Sequence, residues 1–182
     1  MTATDTTTTN ATDAGGLETV QVYSLYIRAT PQAIWDAIVK PEFTEKYLYA
    51  NRVEYDLRPG GAFRGLPSEE FKKGCEAGGY PVPDVCVDGE VIEADPPNRL
   101  VQTWRMAMDP DMKAEGFTRL TWEIAVIDEN VSKLTVTHDV EGAPKLALLL
   151  GGALESEGAG GGWVEVLSGL KTLLETGKSL DA

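Results

Sequence analysis

The sequence predicts an α+β fold: a curved antiparallel β-sheet wrapped around a long C-terminal α-helix, with two short helices after the first strand. Three observations carry this. Residues 19–140 read mainly as strands joined by short turns, which argues for an antiparallel meander. Thr30-Pro31 and Pro41 each open a short helix early in the chain. The stretch from Gly162 to Glu175 sets Trp163, Val166, Leu167, Leu170, Leu173 and Leu174 in one apolar stripe, with Gly177 where a helix C-cap is expected. A sheet with one apolar face needs a cover, and this helix is the best candidate.

The elements follow in order. Val20 to Arg28 is dense in β-branched and aromatic residues and reads as the first strand. Ile34, Trp35 and Ile38 form the buried face of a helix running to about Val39, and a second short helix carries Phe43 and Tyr47. Val53, Tyr55 and Leu57 alternate with charged residues in a half-buried strand, and Pro59-Gly60-Gly61 turns it into a hairpin. Residues 66–83, rich in Gly and Pro, read as a long irregular loop, either a lid or a tolerated insertion. Strands follow at 85–94, 100–108, 118–127 and 133–140. In the last three, Leu100, Trp104, Met106 and Met108 share a face, as do Leu120, Trp122, Ile124 and Val126, and Leu134, Val136, His138 and Val140. The apolar piece 144–154, followed by a glycine-rich hinge, is either a lid or plain core.

A chain of 182 residues makes one domain, placed at 18–178 behind a disordered Thr-, Ala- and Asp-rich tail at 1–17. A formal charge of −13 makes nucleic acid and anionic membranes poor partners, because phosphate binding needs clustered Lys and Arg. There is no apolar run long enough to span a bilayer and no secretory leader, so the expected location is cytoplasmic. Cys75 and Cys86 read as two free thiols, or as a pair that forms on oxidation; with a single histidine to join them, no metal site is expected.

That histidine, His138, lies on an apolar strand face. There it either positions a polar ligand group, acts as a general base, or is a hydrogen-bonded core residue. No nucleophile partner is evident, so no catalytic residue is assigned. Trp104, Trp122, Met106 and Met108 would form a deformable wall suited to flat or lipid-like ligands, or simply core.

The order of elements also carries a resemblance. Its residues are Ala29-Thr30-Pro31 with Ile34-Trp35, Asp56-Leu57-Arg58-Pro59-Gly60-Gly61-Ala62-Phe63, Gly89 to Leu100, Thr135-Val136-Thr137-His138 and Gly162-Trp163. Across about residues 18–177 the chain resembles the helix-grip (SRPBCC) superfamily of START, Bet v allergen and polyketide cyclase proteins. More narrowly, it is similar to the branch named for activators of the heat shock protein 90 ATPase. The resemblance implies a β-sheet wrapped around the last helix and a largely apolar internal pocket, and little about chemistry; the leading expectation is a cofactor-free protein that binds a small hydrophobic molecule, lipid-like or aromatic, in that pocket. The residues expected to line that pocket are Trp35, Tyr55, Trp104, Met106, Trp122, His138, Trp163, Leu167 and Leu170. A chaperone-interaction module and a cyclase- or aromatase-type enzyme stay open as alternatives, as do monomer and homodimer. The chain departs from the family with Tyr47-Leu48-Tyr49 in place of a Trp-Trp pair, a longer 66–83 segment and a more apolar 144–154. Each borders the expected pocket mouth, so ligand identity does not carry over.

Overall fold

The computed structural model describes residues 7–12, 18–49 and 51–180. The chain runs β1 (Thr7–Thr12), β2 (Glu18–Ile27), α1 (Pro31–Val39), α2 (Pro41–Thr44), β3 (Asn51–Tyr55), β4 (Ala62–Pro67) and α3 (Glu69–Gly78). It continues through β5 (Val87–Asp95), β6 (Arg99–Met106), α4 (Pro110–Ala114), β7 (Thr118–Asp128), β8 (Val131–Asp139), α5 (Pro144–Leu150) and α6 (Gly162–Thr176). Among the described residues the eight strands form one antiparallel sheet in the order β1-β2-β8-β7-β6-β5-β4-β3. This is the α+β architecture that the alternation and the amphipathic C-terminal segment predict.

Local chemistry sets the helix boundaries. Thr30 accepts a hydrogen bond from the Ala33 amide at 3.2 Å, capping α1, and Pro31 occupies its first turn. The C-terminus of α6 closes on Gly177, whose positive φ of 75° suits a residue without a side chain.

Two expectations change. Residues 7–12, expected within a disordered tail, pair with β2 from Thr7↔Ser24 to Ala11↔Val20, because a threonine-rich segment suits the otherwise open edge of a long strand. The rest of that tail, residues 1–6 and 13–17, lies outside the described residues. The 66–83 segment is not irregular throughout, since its middle is α3. Ser68 caps that helix through the Phe71 amide at 3.2 Å, and Gly79 closes it in the left-handed conformation. None of its residues is buried, so its apolar content gave little periodic signal.

The sheet is strongly bent. Tyr55 on β3 donates its hydroxyl to Gln102 Oε1 on β6 at 2.8 Å. Those strands lie three positions apart, about 14 Å in a flat sheet, so the side chains meet only across a concave surface. Gly89 permits part of this closeness, because a Cβ there would fall 1.9 Å from the Thr103 carbonyl oxygen.

The concave face carries Tyr23, Leu25 and Ile27 from β2, Leu134 and Val136 from β8, Leu120, Trp122 and Ile124 from β7, and Leu100, Trp104 and Met106 from β6. Against it lie α1, through Ile34, Trp35 and Ile38, and α6, through Trp163, Val166, Leu167 and Leu170. These residues belong to one contiguous core. The C-terminal end of α6 is tied down where the Lys171 ammonium reaches the Tyr26 carbonyl at 2.6 Å and Glu175 accepts from the Arg28 amide at 2.8 Å.

The apolar piece at 144–154 folds as α5 followed by turns, with Leu146, Ala147 and Leu150 buried and Leu148 exposed. Its N-terminus has no cap of its own. The Glu115 carboxylate supplies one from outside, accepting from the amides of Lys145 at 2.9 Å and Leu146 at 3.0 Å.

Candidate functional site

The interior between the concave sheet and α6 is assembled from six elements. Strand alternation turns Gln102, Trp104 and Met106 of β6, Trp122 of β7 and His138 of β8 inward, and helical periodicity turns Trp163, Leu167 and Leu170 of α6 down onto them. Trp35 of α1 and Tyr55 of β3 complete the ring. All nine residues expected to line a pocket therefore sit in or against this single core. Met108, read onto the same face from the sequence, lies beyond the end of β6 and is 45% exposed.

Wide rings meet edge to face here. Trp122 and Trp163 have centroids 5.3 Å apart at 84°, and Trp104 and His138 are 5.4 Å apart at 80°. On the far side Tyr55 stacks on Phe63 at 4.7 Å.

Polar chemistry in this interior is sparse and specific. The Thr118 hydroxyl donates to the Trp104 carbonyl at 2.8 Å, so its lone pair accepts from His138 Nε2–H, also at 2.8 Å. That fixes the tautomer: Nδ1 is unprotonated and accepts the Trp163 indole N–H at 3.2 Å. His138 is fully buried, and desolvation lowers its pKa to about 3. The imidazole is thus neutral with both nitrogens engaged, a bridge between the sheet and the first turn of α6 rather than a base with a free lone pair. Burial likewise pushes the Tyr55 phenol well above its ordinary value, which keeps it a hydrogen-bond donor to Gln102.

Two buried donors in the same wall have no partner. Gln102 gives Oε1 to Tyr55 while its Nε2 makes no hydrogen bond, and Trp122 Nε1 makes none either. Gln102 pairs with Leu120 across β6 and β7, and Leu100 pairs with Trp122, so the two orphans are diagonal neighbours. Sequence reasoning passed over Gln102 and Thr118. The available signal was a polar residue at the inward phase of an otherwise apolar strand, Leu100-Val101-Gln102-Thr103-Trp104.

The start of α6 is clasped. Tyr49 donates to Glu165 Oε2 at 2.8 Å, and the same oxygen takes the Gly161 amide at 2.6 Å. Gly162 follows with φ of 63°, and a Cβ there would sit 2.1 Å from the Leu150 carbonyl oxygen, so the chain leaving α5 and entering α6 touches itself.

A separate cleft of about 600 Å³ opens on the outer surface between α3 and α4, lined by Phe71, Tyr80, Pro81, Pro83, Met108 and Lys113 among others. Cys75 faces it, while Cys86 is buried with its thiol pushed up to about 12; both are free. Among the described residues no group of three or more His, Cys, Asp or Glu side chains is placed to hold a metal ion. Nor is any helix among them long and apolar enough to cross a membrane.

Comparison with known structures finds the same fold at low identity. CalU16 from Micromonospora echinospora is 17% identical, over 98% of this chain and 77% of that one, with a TM-score of 0.60. A protein from Bordetella parapertussis is 17% identical over 98% of this chain and 86% of that one, at 0.61. An HSP90 activator from Plasmodium falciparum is 19% identical over 66% of this chain and 72% of that one, at 0.50. No curated protein matches. A family model described as activator of Hsp90 ATPase homolog 1-like protein matches residues 28–175. The chain belongs to that family, a branch of the helix-grip superfamily.

Proposed function

We propose that this protein binds a small hydrophobic molecule, lipid-like or aromatic, between the concave sheet and α6. The observation that carries this reading is the pair of unpartnered buried donors, Gln102 Nε2 and Trp122 Nε1, in a wall of aromatic and thioether side chains. Cores built for packing alone satisfy nearly all of their polar groups, since an orphan donor costs about 1–3 kcal/mol. A guest that meets those donors removes the cost. Met106, unbranched and polarisable, and the edge-packed tryptophans make a wall that reshapes by rotamer change. Affinity would come from burying the guest's apolar surface, at roughly 25 cal/mol per Å² before ordering costs.

Incubating the full chain with a library of lipids and small aromatics, followed by native mass spectrometry and thermal melting, tests this. A true ligand at a hundred times its Kd adds about 2.7 kcal/mol and raises Tm by roughly 5–10 °C for a chain of this size. A library that leaves both mass and Tm unchanged overturns the proposal.

A second reading, a chaperone-interaction module, is supported by the family and by a group of exposed apolar side chains beside the outer cleft. Tyr80 is 71% exposed, Phe117 54% and Met108 45%, a surface suited to a partner. Stimulation of a chaperone ATPase that disappears on Tyr80→Ser and Phe117→Ser would favour it over the ligand reading. A cyclase-type reaction has less support, because His138 has no free lone pair to act as a base.

A further inference from the structure

We infer that the guest of this interior presents a hydrogen-bond acceptor oxygen, of carbonyl type, to Gln102 Nε2 and Trp122 Nε1, and that the site discriminates against ligands offering a donor there. The inference rests on the ligand-binding reading and adds to it the chemistry of the contact.

The argument comes from which polar groups are already used. His138 gives its N–H to Thr118 and its lone pair to Trp163; the Tyr55 hydroxyl donates to Gln102 Oε1; Gln21 binds the Ala147 carbonyl and the Tyr23 hydroxyl. What remains unpaired in the wall is two N–H groups, both donors. Both face the guest as donors: an indole nitrogen has no available lone pair, and the Gln102 amide oxygen is taken by the Tyr55 hydroxyl, which leaves its NH2 free. Their diagonal placement on adjacent strands puts them on one face of the sheet as neighbours, where one polar edge of a small molecule could serve both. Among the described residues no lysine or arginine is buried in this core, so the recognition is of a dipole. The rest of the surrounding core is apolar, which favours hydrocarbon in the remainder of the guest.

Three bicyclic probes of nearly equal size separate the possibilities: 1-indanone, which carries a carbonyl; indane, which carries neither donor nor acceptor; and indole, which carries an N–H. Each is titrated into the full chain with tryptophan fluorescence and native mass spectrometry as readouts. The expected order places 1-indanone about fivefold ahead of indane, the ratio of one net hydrogen bond, with indole no better than indane. The ketone preference should fall to within twofold in Tyr55→Phe/Gln102→Leu, a pair that removes the amide donor without leaving a new orphan hydroxyl. Trp122→Phe, which removes only the other N–H, should reduce the preference several-fold and serves if the double variant does not fold.

Equal binding of indanone and indane by the wild-type chain would overturn the inference while leaving the hydrophobic-ligand reading intact. It would mean that a trapped water, not a ligand, serves the two donors. Binding of none of the three here, with no hit in the broader library, would remove both. A ketone preference that survives in both variants would likewise overturn the assignment of the donors.

Discussion

Trp163→Ala should cost about 3–5 kcal/mol of unfolding free energy, the range for truncating a large buried aromatic. Few other single changes in this chain should cost as much. The indole is 5% exposed, packs edge-on against Trp122, and donates the hydrogen bond that occupies His138 Nδ1. Truncation opens a void at the base of α6 and leaves an unpaired acceptor in a place that water does not readily reach. In a domain whose total stability is of the order of 5–15 kcal/mol, that is a large share. Trp163→Phe keeps most of the apolar area and loses only the N–H, so it should cost about 1–2 kcal/mol. Urea unfolding of the three proteins measures the difference. A Trp163→Ala midpoint equivalent to less than 1 kcal/mol would mean that α6 is held by its other end, through Lys171 and Glu175.

The second large effect is a dependence on pH. His138 has a folded pKa lowered to about 3 by burial, against an ordinary value of 6.5. The folded state therefore binds fewer protons than the unfolded chain below pH 6.5. Its stabilising contribution is full above that value and is lost as pH falls toward 3, at up to about 1.4 kcal/mol per unit. Between pH 7.5 and 4.5 the loss should reach about 2.7 kcal/mol. Most of the window belongs to His138, the only histidine in the sequence; Glu69 and Glu175, both held below the usual 4.5, add to the loss only at its lower edge. Asp36, held below its usual value of 3.8 by its hydrogen bond to Lys40, titrates lower still. His138→Gln can keep both contacts through its amide and has nothing to titrate there, so its stability should be nearly flat from pH 7.5 to about 5. Denaturant midpoints measured every half unit of pH check this. A wild-type curve as flat as the variant's, or an imidazole that titrates near 6.5 by NMR, would contradict a buried neutral bridge.

The architecture was legible because its signals are periodic and redundant. The inward residues of β6, β7 and β8 alternate over whole strands, and Trp163 to Leu174 keeps one stripe for three turns. That the nine residues expected to line a pocket share one core follows from the same periodicity. Signals that depend on a single cap or on an edge were weaker. Ser68 and Gly79 bound α3 correctly, yet the helix buries nothing, and the Gly and Pro content around it reads as loop. Thr7–Thr12 has β-propensity but no apolar face, so nothing local says that it will find the edge of β2. The site's polar pattern was hidden for another reason. Whether Gln102 is satisfied depends on Tyr55, 47 residues earlier and three strands away, and only the bend of the sheet brings the two together.

The most direct test of a guest beneath α6 is the indole region of a ¹H–¹⁵N NMR spectrum recorded with and without saturating 1-indanone. Trp122 Nε1–H should move downfield as it gains an acceptor, the Gln102 side-chain amide should shift with it, and Trp163 Nε1–H, already bonded to His138, should move least. Shifts confined to Phe71, Tyr80 and Met108 around the outer cleft, with the Trp122 and Gln102 signals still, would place the molecule elsewhere and contradict the account.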